Sequence, residues 1–200
     1  MLKVGLTGGL ASGKSFVGQA LADLGCHLIQ ADEIGHQVLA RGGEAFDPVV
    51  TEFGAGILAP DGSIDRTRLA EQVFSQPERL AALTRLVHPP IIRRENELTA
   101  GIAAREPGAI VVVEAAVMIE AGSHTRFDKL ILAVCSQEQQ VERAMLRDRI
   151  SREKALARIG RQMPLEEKLK FADCVIDTSG DQADTLRQVR EVYHLLRSMA

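Results

Sequence analysis

The stretch Gly8-Gly9-Leu10-Ala11-Ser12-Gly13-Lys14-Ser15 constrains this chain more than any other. It matches GxxxxGK[ST] in full and joins an apolar run to an amphipathic one. Upstream, Leu2–Leu6 reads as a buried strand; downstream, Val17, Leu21 and Leu24 recur on one face of a helix from about Lys14 to Leu24. Gly8 and Gly13 permit backbone conformations closed to residues with a Cβ, so successive N–H groups can turn inward around a phosphate at the positive end of the helix. On this reading Gly8, Gly9, Ala11, Ser12, Gly13, Lys14, Ser15 and Phe16 surround nucleotide phosphates. Lys14 brings a point charge toward the β- and γ-phosphates, and the Ser15 hydroxyl can ligate Mg²⁺ that bridges them.

Apolar runs and helical periodicity alternate along the 200 residues, the pattern of an α/β fold whose parallel sheet is covered on both faces. Further strands are expected at His27–Gln30, Ile110–Val113, Lys129–Val134 and Cys174–Ile176, and a terminal helix at Gln182–Arg197 carrying Leu186, Val189, Tyr193 and Leu196. Between the second and third strands lie about 80 residues without a convincing strand, where a plain crossover needs only a dozen or two. A helical insertion is therefore expected. Ala59-Pro60-Asp61-Gly62 spells a turn, Asp65 is placed to cap a helix bearing Leu69 and Val73, and Ser75-Gln76-Pro77-Glu78 spells a capping box. His88, before Pro89-Pro90, is expected to close the helix that follows. A second excursion, Ser136–Phe171, is helical and rich in charge.

Three features outside the loop carry chemistry. Asp32 follows the second strand, at the carboxyl end of the sheet where α/β sites assemble; it can take a proton from an attacking alcohol, bind Mg²⁺ through water, or cap the next helix. Val111-Val112-Val113-Glu114 is an apolar strand ending in an acid, the pattern of a Walker B carboxylate that supports Mg²⁺, with Glu120 a possible neighbour. Between Arg143 and Arg161 seven basic residues face two acids, a local charge of +5. Arg143 and Arg147 are one helical turn apart and can face one phosphate, to which guanidinium groups bond bidentately.

Charge and cysteine usage set limits on the rest. With 24 Lys+Arg against 27 Asp+Glu the net charge is −3, so no global basic field for nucleic acid is expected and any anion must be caught locally. Cys26, Cys135 and Cys174 are odd in number and widely spaced, and read as reduced core thiols. The N-terminus makes a poor signal peptide and no unbroken apolar run reaches the roughly 18 residues of a membrane span, so a cytoplasmic setting without membrane contact is expected. No obligate protein partner is evident. The loop alone leaves open another small-molecule or nucleotide kinase, or a nucleotide-binding switch, although no Asn-Lys-x-Asp guanine-reading motif is present.

Taken in order, the phosphate loop, Asp32, insertion and arginine-rich stretch resemble the dephospho-CoA kinase family. The resemblance runs through nearly all of the chain. It rests on Gly5-Leu6-Thr7-Gly8-Gly9 leading into Ser12-Gly13-Lys14-Ser15, Ala31-Asp32, Phe53-Gly54, Asp61-Gly62-Ser63-Ile64-Asp65-Arg66 and His88-Pro89, then Phe127-Asp128, Glu142-Arg143, Arg147-Asp148, Arg161-Gln162-Met163 and Ala172-Asp173-Cys174-Val175-Ile176. It implies a three-layer α/β/α P-loop NTPase fold: a nucleotide-binding core at 1–32, 105–135 and 172–200, an inserted helical CoA-substrate subdomain at 33–104, and an arginine-rich lid at 136–171. It also implies transfer of the ATP γ-phosphate to the 3′-hydroxyl of dephospho-CoA, the last step of coenzyme A synthesis. Asp32, Lys14, Arg143 and Arg147 are then the catalytic set, His88 a substrate contact, and Ser15 and Glu114 the Mg²⁺ ligands. This chain departs from the family pattern at Gln30, where an acid is usual, at Ala116-Val117-Met118 in place of Pro-Leu-Leu, at Phe16 where Thr is common, and at Thr178 in place of Asn.

Overall fold

The computed structural model describes every residue except Ser75, and of Phe74 the backbone alone. Among the described residues the strands β1 (Leu2–Gly8), β2 (His27–Gln30), β3 (Ile110–Glu114), β4 (Lys129–Val134) and β5 (Cys174–Asp177) form one parallel sheet in the order β2-β3-β1-β4-β5. The three inner strands β1, β3 and β4 read as apolar runs because each has a strand on both sides and is largely buried, whereas the edge strands β2 and β5 are only partly buried. The helices in chain order are α1 (Lys14–Asp23), α2 (Ala31–Val38), α3 (Phe46–Phe53), α4 (Arg66–Phe74), α5 (Pro77–Arg105), α6 (Gln137–Asp148), α7 (Arg152–Ile159), α8 (Leu165–Leu169) and α9 (Gln182–Arg197). The chain separates into two compact units, one of Met1–Gln30 with Gly101–Ala200 and one of Ala31–Ala100.

In the first unit, one sheet face buries Val4, Leu6, Val112, Ile131 and Ile176 against Val17 and Leu21 of α1 and Val189 and Leu196 of α9. Burying each such side chain contributes roughly 1.5–3 kcal/mol, so this layer fixes where α1 begins and with it the phosphate loop. The opposite face packs Leu130 with Met118, Ile119, Phe127 and Met163. Gly5 of β1 admits that cluster, since a Cβ there would lie 2.6 Å from the Met118 sulfur. Ser136 and Gln139 cap α6 reciprocally, the Ser136 Oγ accepting from the Gln139 N–H.

The second unit is helical. The turn at Ala59–Gly62 closes through Gly62 N–H to the Ala59 carbonyl at 2.9 Å, and Asp65 Oδ1 accepts from the N–H groups of Thr67 and Arg68 at the start of α4. The capping box expected at Ser75-Gln76-Pro77-Glu78 includes Ser75 and lies outside the described residues. The helix expected to end at His88 instead continues through Pro89 and Pro90 to Arg105. Each proline withdraws one N–H from the helical ladder, yet Val87 and Pro90 are buried and Ile91 stands where a Cβ on Gly35 of α2 would touch it at 3.4 Å. Packing of this face against α2 outweighs the local signal to stop.

Candidate active site

The loop between β1 and α1 is shaped by two close approaches. A Cβ on Gly8 would lie 2.6 Å from the Ala133 carbonyl oxygen, so the loop leaves β1 pressed against β4. Gly13 has φ 83°, the left-handed region, and a Cβ there would crowd Thr178 at 3.0–3.1 Å. Ala11 adopts φ 53° despite its side chain. The Ser12 N–H donates to the Gly9 carbonyl at 3.2 Å, closing the turn, and α1 then starts at Lys14 with its unpaired N–H groups facing the loop.

Register decides what meets the loop. Leu6 on β1 and Gln30 on β2 both pair with Glu114 of β3, which carries the Glu114 carboxylate to the end of the sheet beside the start of α1. Glu114 is only 4% exposed. Its Oε1 accepts from Ser15 Oγ at 2.5 Å and lies 3.7 Å from Lys14 Nζ, and its Oε2 accepts from Gln30 Nε2 at 3.3 Å. A buried carboxylate needs such partners, and here a cation, a hydroxyl and an amide supply them. The donor set also fits a hard divalent cation: a hydroxyl and a carboxylate oxygen side by side, with no nitrogen or sulfur. Among the described residues no group of three or more His, Cys, Asp or Glu is placed to hold a metal ion.

The two arginines of α6 face different recesses. Arg147 joins Ala11, Ser12, Gly13, Lys14, Ser15 and Phe16 around a cavity of about 170 Å³ over the loop. Its guanidinium is also bound by Asp148 at 2.7 Å, and hydrogen bonding to that acid raises its pKa above the ordinary value. Arg143 instead donates to the Thr178 hydroxyl at 3.1 Å and carbonyl at 2.7 Å, and borders a cavity of about 260 Å³ with Gly13, Phe16, Gly180, Gln182 and Thr185. Much of the +5 stretch is committed to ion pairs at its surface, Arg152 with Glu138 and Arg158 with Asp148 among them. Of the two arginines of α6, Arg147 lines the cavity over the loop from Ala11 to Phe16, whereas Arg143 meets only Gly13 and Phe16 of those residues.

Comparison with known proteins identifies the family. The family model for dephospho-CoA kinase matches residues 2–184. The chain belongs to the dephospho-CoA kinase family. A dephospho-CoA kinase of Aquifex aeolicus is 37% identical over 196 residues, covering 98% of each chain. The crystal structure of TT1252 from Thermus thermophilus superposes with a TM-score of 0.84 at 32% identity, covering 100% of this chain and 98% of that one. The dephospho-CoA kinase from Campylobacter jejuni does so with a TM-score of 0.69 at 29% identity and 98% coverage of both. Members of this family are ATP-dependent kinases, and among the described residues no helix is long and apolar enough to cross a membrane.

Asp32 and His88 both lie in the second unit, on α2 and α5. Asp32 lies in the first turn of α2 and is exposed, so it stands inside that helix rather than ahead of it as a cap. Burial depresses the His88 pKa below the ordinary imidazole value, with Glu95 opposing, so the ring is largely neutral at pH 7 and offers hydrogen bonds rather than positive charge. Glu120 does not join Glu114: it accepts from the Met163 N–H at 3.1 Å and pairs with Lys168 at 2.8 Å. Thr178, where the family pattern has Asn, donates its hydroxyl to the Ser12 carbonyl at 2.8 Å. The sequence marks Thr178 and Gln30 as departures from the family pattern and Gln162 as part of Arg161-Gln162-Met163, but neutral polar residues carry no spacing signal that would give these, or Gln140, a contact at the loop.

Proposed function

We propose that this chain transfers the γ-phosphate of ATP to the 3′-hydroxyl of the dephospho-CoA ribose in the cytoplasm, giving CoA and ADP. What carries the reading is the convergence of Lys14, Ser15 and Glu114 at one end of the sheet, in a chain that matches this family over residues 2–184. Asp32 accepts the hydroxyl proton as the 3′-oxygen bonds to the γ-phosphorus. The bond to the β–γ bridging oxygen breaks, and its electron pair leaves with ADP. Lys14 and Arg147 offset charge on the phosphoryl oxygens, where fixed cations stabilise the transition state more than the ground state. Arg143, held by Thr178, positions α6 over the nucleotide. Mg²⁺ held by Ser15 and Glu114 would neutralise charge on the β- and γ-phosphate oxygens when bound. In this scheme 33–104 holds the acceptor, with His88 donating or accepting a neutral hydrogen bond, and 136–171 closes to exclude water.

The test is incubation of the purified protein with dephospho-CoA, ATP and Mg²⁺, with CoA read by mass spectrometry. Formation of CoA and ADP in equal amounts is expected. No product under conditions where calorimetry shows both substrates bound refutes the assignment, and a panel of other alcohols with ADP detection then identifies a different acceptor.

A further inference from the structure

The first half of the phosphate loop is held from outside. Gln162, in the turn between α7 and α8, accepts the Leu10 N–H on its Oε1 at 2.7 Å. Gln140 of α6 lies against the preceding residue, so that a Cβ on Gly9 would sit 2.2 Å from its Nε2 and 3.7 Å from Gln162 Oε1. Leu10 and Ala11 pack against a buried cluster of Val141, Ala144 and Ala155, which ties the loop to α6 and α7 by apolar contact as well.

Gln162 is itself fixed. Its N–H donates to the Ile159 carbonyl at 3.0 Å, and the next residue, Met163, donates its N–H to Glu120 at 3.1 Å. Glu120 also receives Lys168, which is 2% exposed and 2.8 Å away. The acceptor atom offered to Leu10 thus stands on backbone clamped at both sides. The loop has reason to need it, because Ala11 at φ 53° holds a conformation that disfavours a residue with a Cβ. A loop so shaped relaxes unless its surroundings over-determine it.

We infer that Gln162 is a positioning residue for phosphoryl transfer: it holds Gly9–Ala11 in the shape that receives the terminal phosphates of the nucleotide. Nucleotide affinity then depends on the docking of the α7–α8 turn against the loop. The inference rests on the loop's assignment as the nucleotide site and adds a residue to which that assignment gives no role.

The test compares Gln162→Met, which keeps the side-chain length and removes the acceptor, with Gln162→Glu, which keeps an acceptor oxygen. Three readouts are taken: amide hydrogen exchange at Leu10 in the protein alone, ADP binding by calorimetry, and KM for ATP against KM for the acceptor. Gln162→Met is expected to speed Leu10 exchange and weaken ADP binding about five- to tenfold, the equivalent of one lost neutral hydrogen bond. KM for ATP rises with it, while the KM for the acceptor stays put. Gln162→Glu is expected to restore slow exchange. Unchanged Leu10 exchange and ADP affinity in Gln162→Met, or an equal rise in both KM values, overturns the inference. A wild-type protein that binds no ADP at all overturns the nucleotide assignment and the inference with it, and is distinguished by a Leu10 exchange response that persists.

Discussion

Replacing Thr178 by valine removes one hydroxyl and keeps the shape of the side chain. That hydroxyl donates to the Ser12 carbonyl at 2.8 Å and reaches the Val134 carbonyl at 3.1 Å, while accepting from Arg143 at 3.1 Å. Two of these partners are covered elsewhere: Val134 keeps the Thr178 N–H at 2.8 Å, and Arg143 keeps the Thr178 carbonyl at 2.7 Å. The cost therefore falls on the Ser12 carbonyl, in a residue 1% exposed. A buried acceptor stripped of its donor costs about 1–3 kcal/mol. For a chain of this size that corresponds to a fall of roughly 3–10 °C in Tm. Because Ser12 and Gly13 form the turn into α1, ADP affinity should fall as well. Thermal and chemical denaturation with ADP calorimetry read both effects, and Thr178→Ser, which keeps the hydroxyl, should lose no more than about 1 kcal/mol. A Thr178→Val protein with wild-type Tm and wild-type ADP affinity would refute the claim that this hydroxyl anchors the loop.

The catalytic assignments give sharper kinetic outcomes. Lys14→Ala should weaken ADP binding and transfer together, since its charge acts on bound phosphates in both states; calorimetry and steady-state rates that separate the two would contradict this role. Asp32→Asn should lower kcat by about 10²-fold or more with little change in KM for ATP, as expected for loss of a general base, and near-normal turnover would remove Asp32 from it. Stability should also depend on alkaline pH. Burial, partly opposed by Arg197, pushes the Cys26 thiol from its ordinary 9.0 up to about 11. Between those values the unfolded chain binds fewer protons than the folded one, so stability is intact below pH 9 and declines by about 2–3 kcal/mol toward pH 11. Denaturation midpoints at pH 8 and 10.5 should show that decline in the wild type and a shallower one in Cys26→Ala; equal slopes would exclude Cys26 as its source.

The parts legible in the sequence are those whose signal is local. The ranges expected for β2, β4 and α9 coincide with the observed ones because period, composition and capping residues lie inside each element. The turn at Ala59–Gly62 and the Asp65 contacts at the start of α4 were legible for the same reason. At His88-Pro89-Pro90 a strong local signal was overruled by packing on α2. The arginines of α6 show a subtler limit. Their spacing placed them on one helix face, yet side-chain partners sent Arg143 to Thr178 and left Arg147 over the loop.

By itself the sequence determined the alternation of strand and helix, the phosphate loop and the chemical groups available to it, since these depend on residues within a few positions of one another. Only the tertiary structure decided how those groups are wired. Ser15 and Glu114 are 99 residues apart, Leu10 and Gln162 are 152 apart, and Ser12 and Thr178 are 166 apart. Each bond depends on strand order and register, which place β3 and β4 on either side of β1 and bring β5 alongside β4. A periodic pattern can say that a residue is on a strand or at the end of one. Which distant residue stands opposite it is set by the packing of the whole sheet.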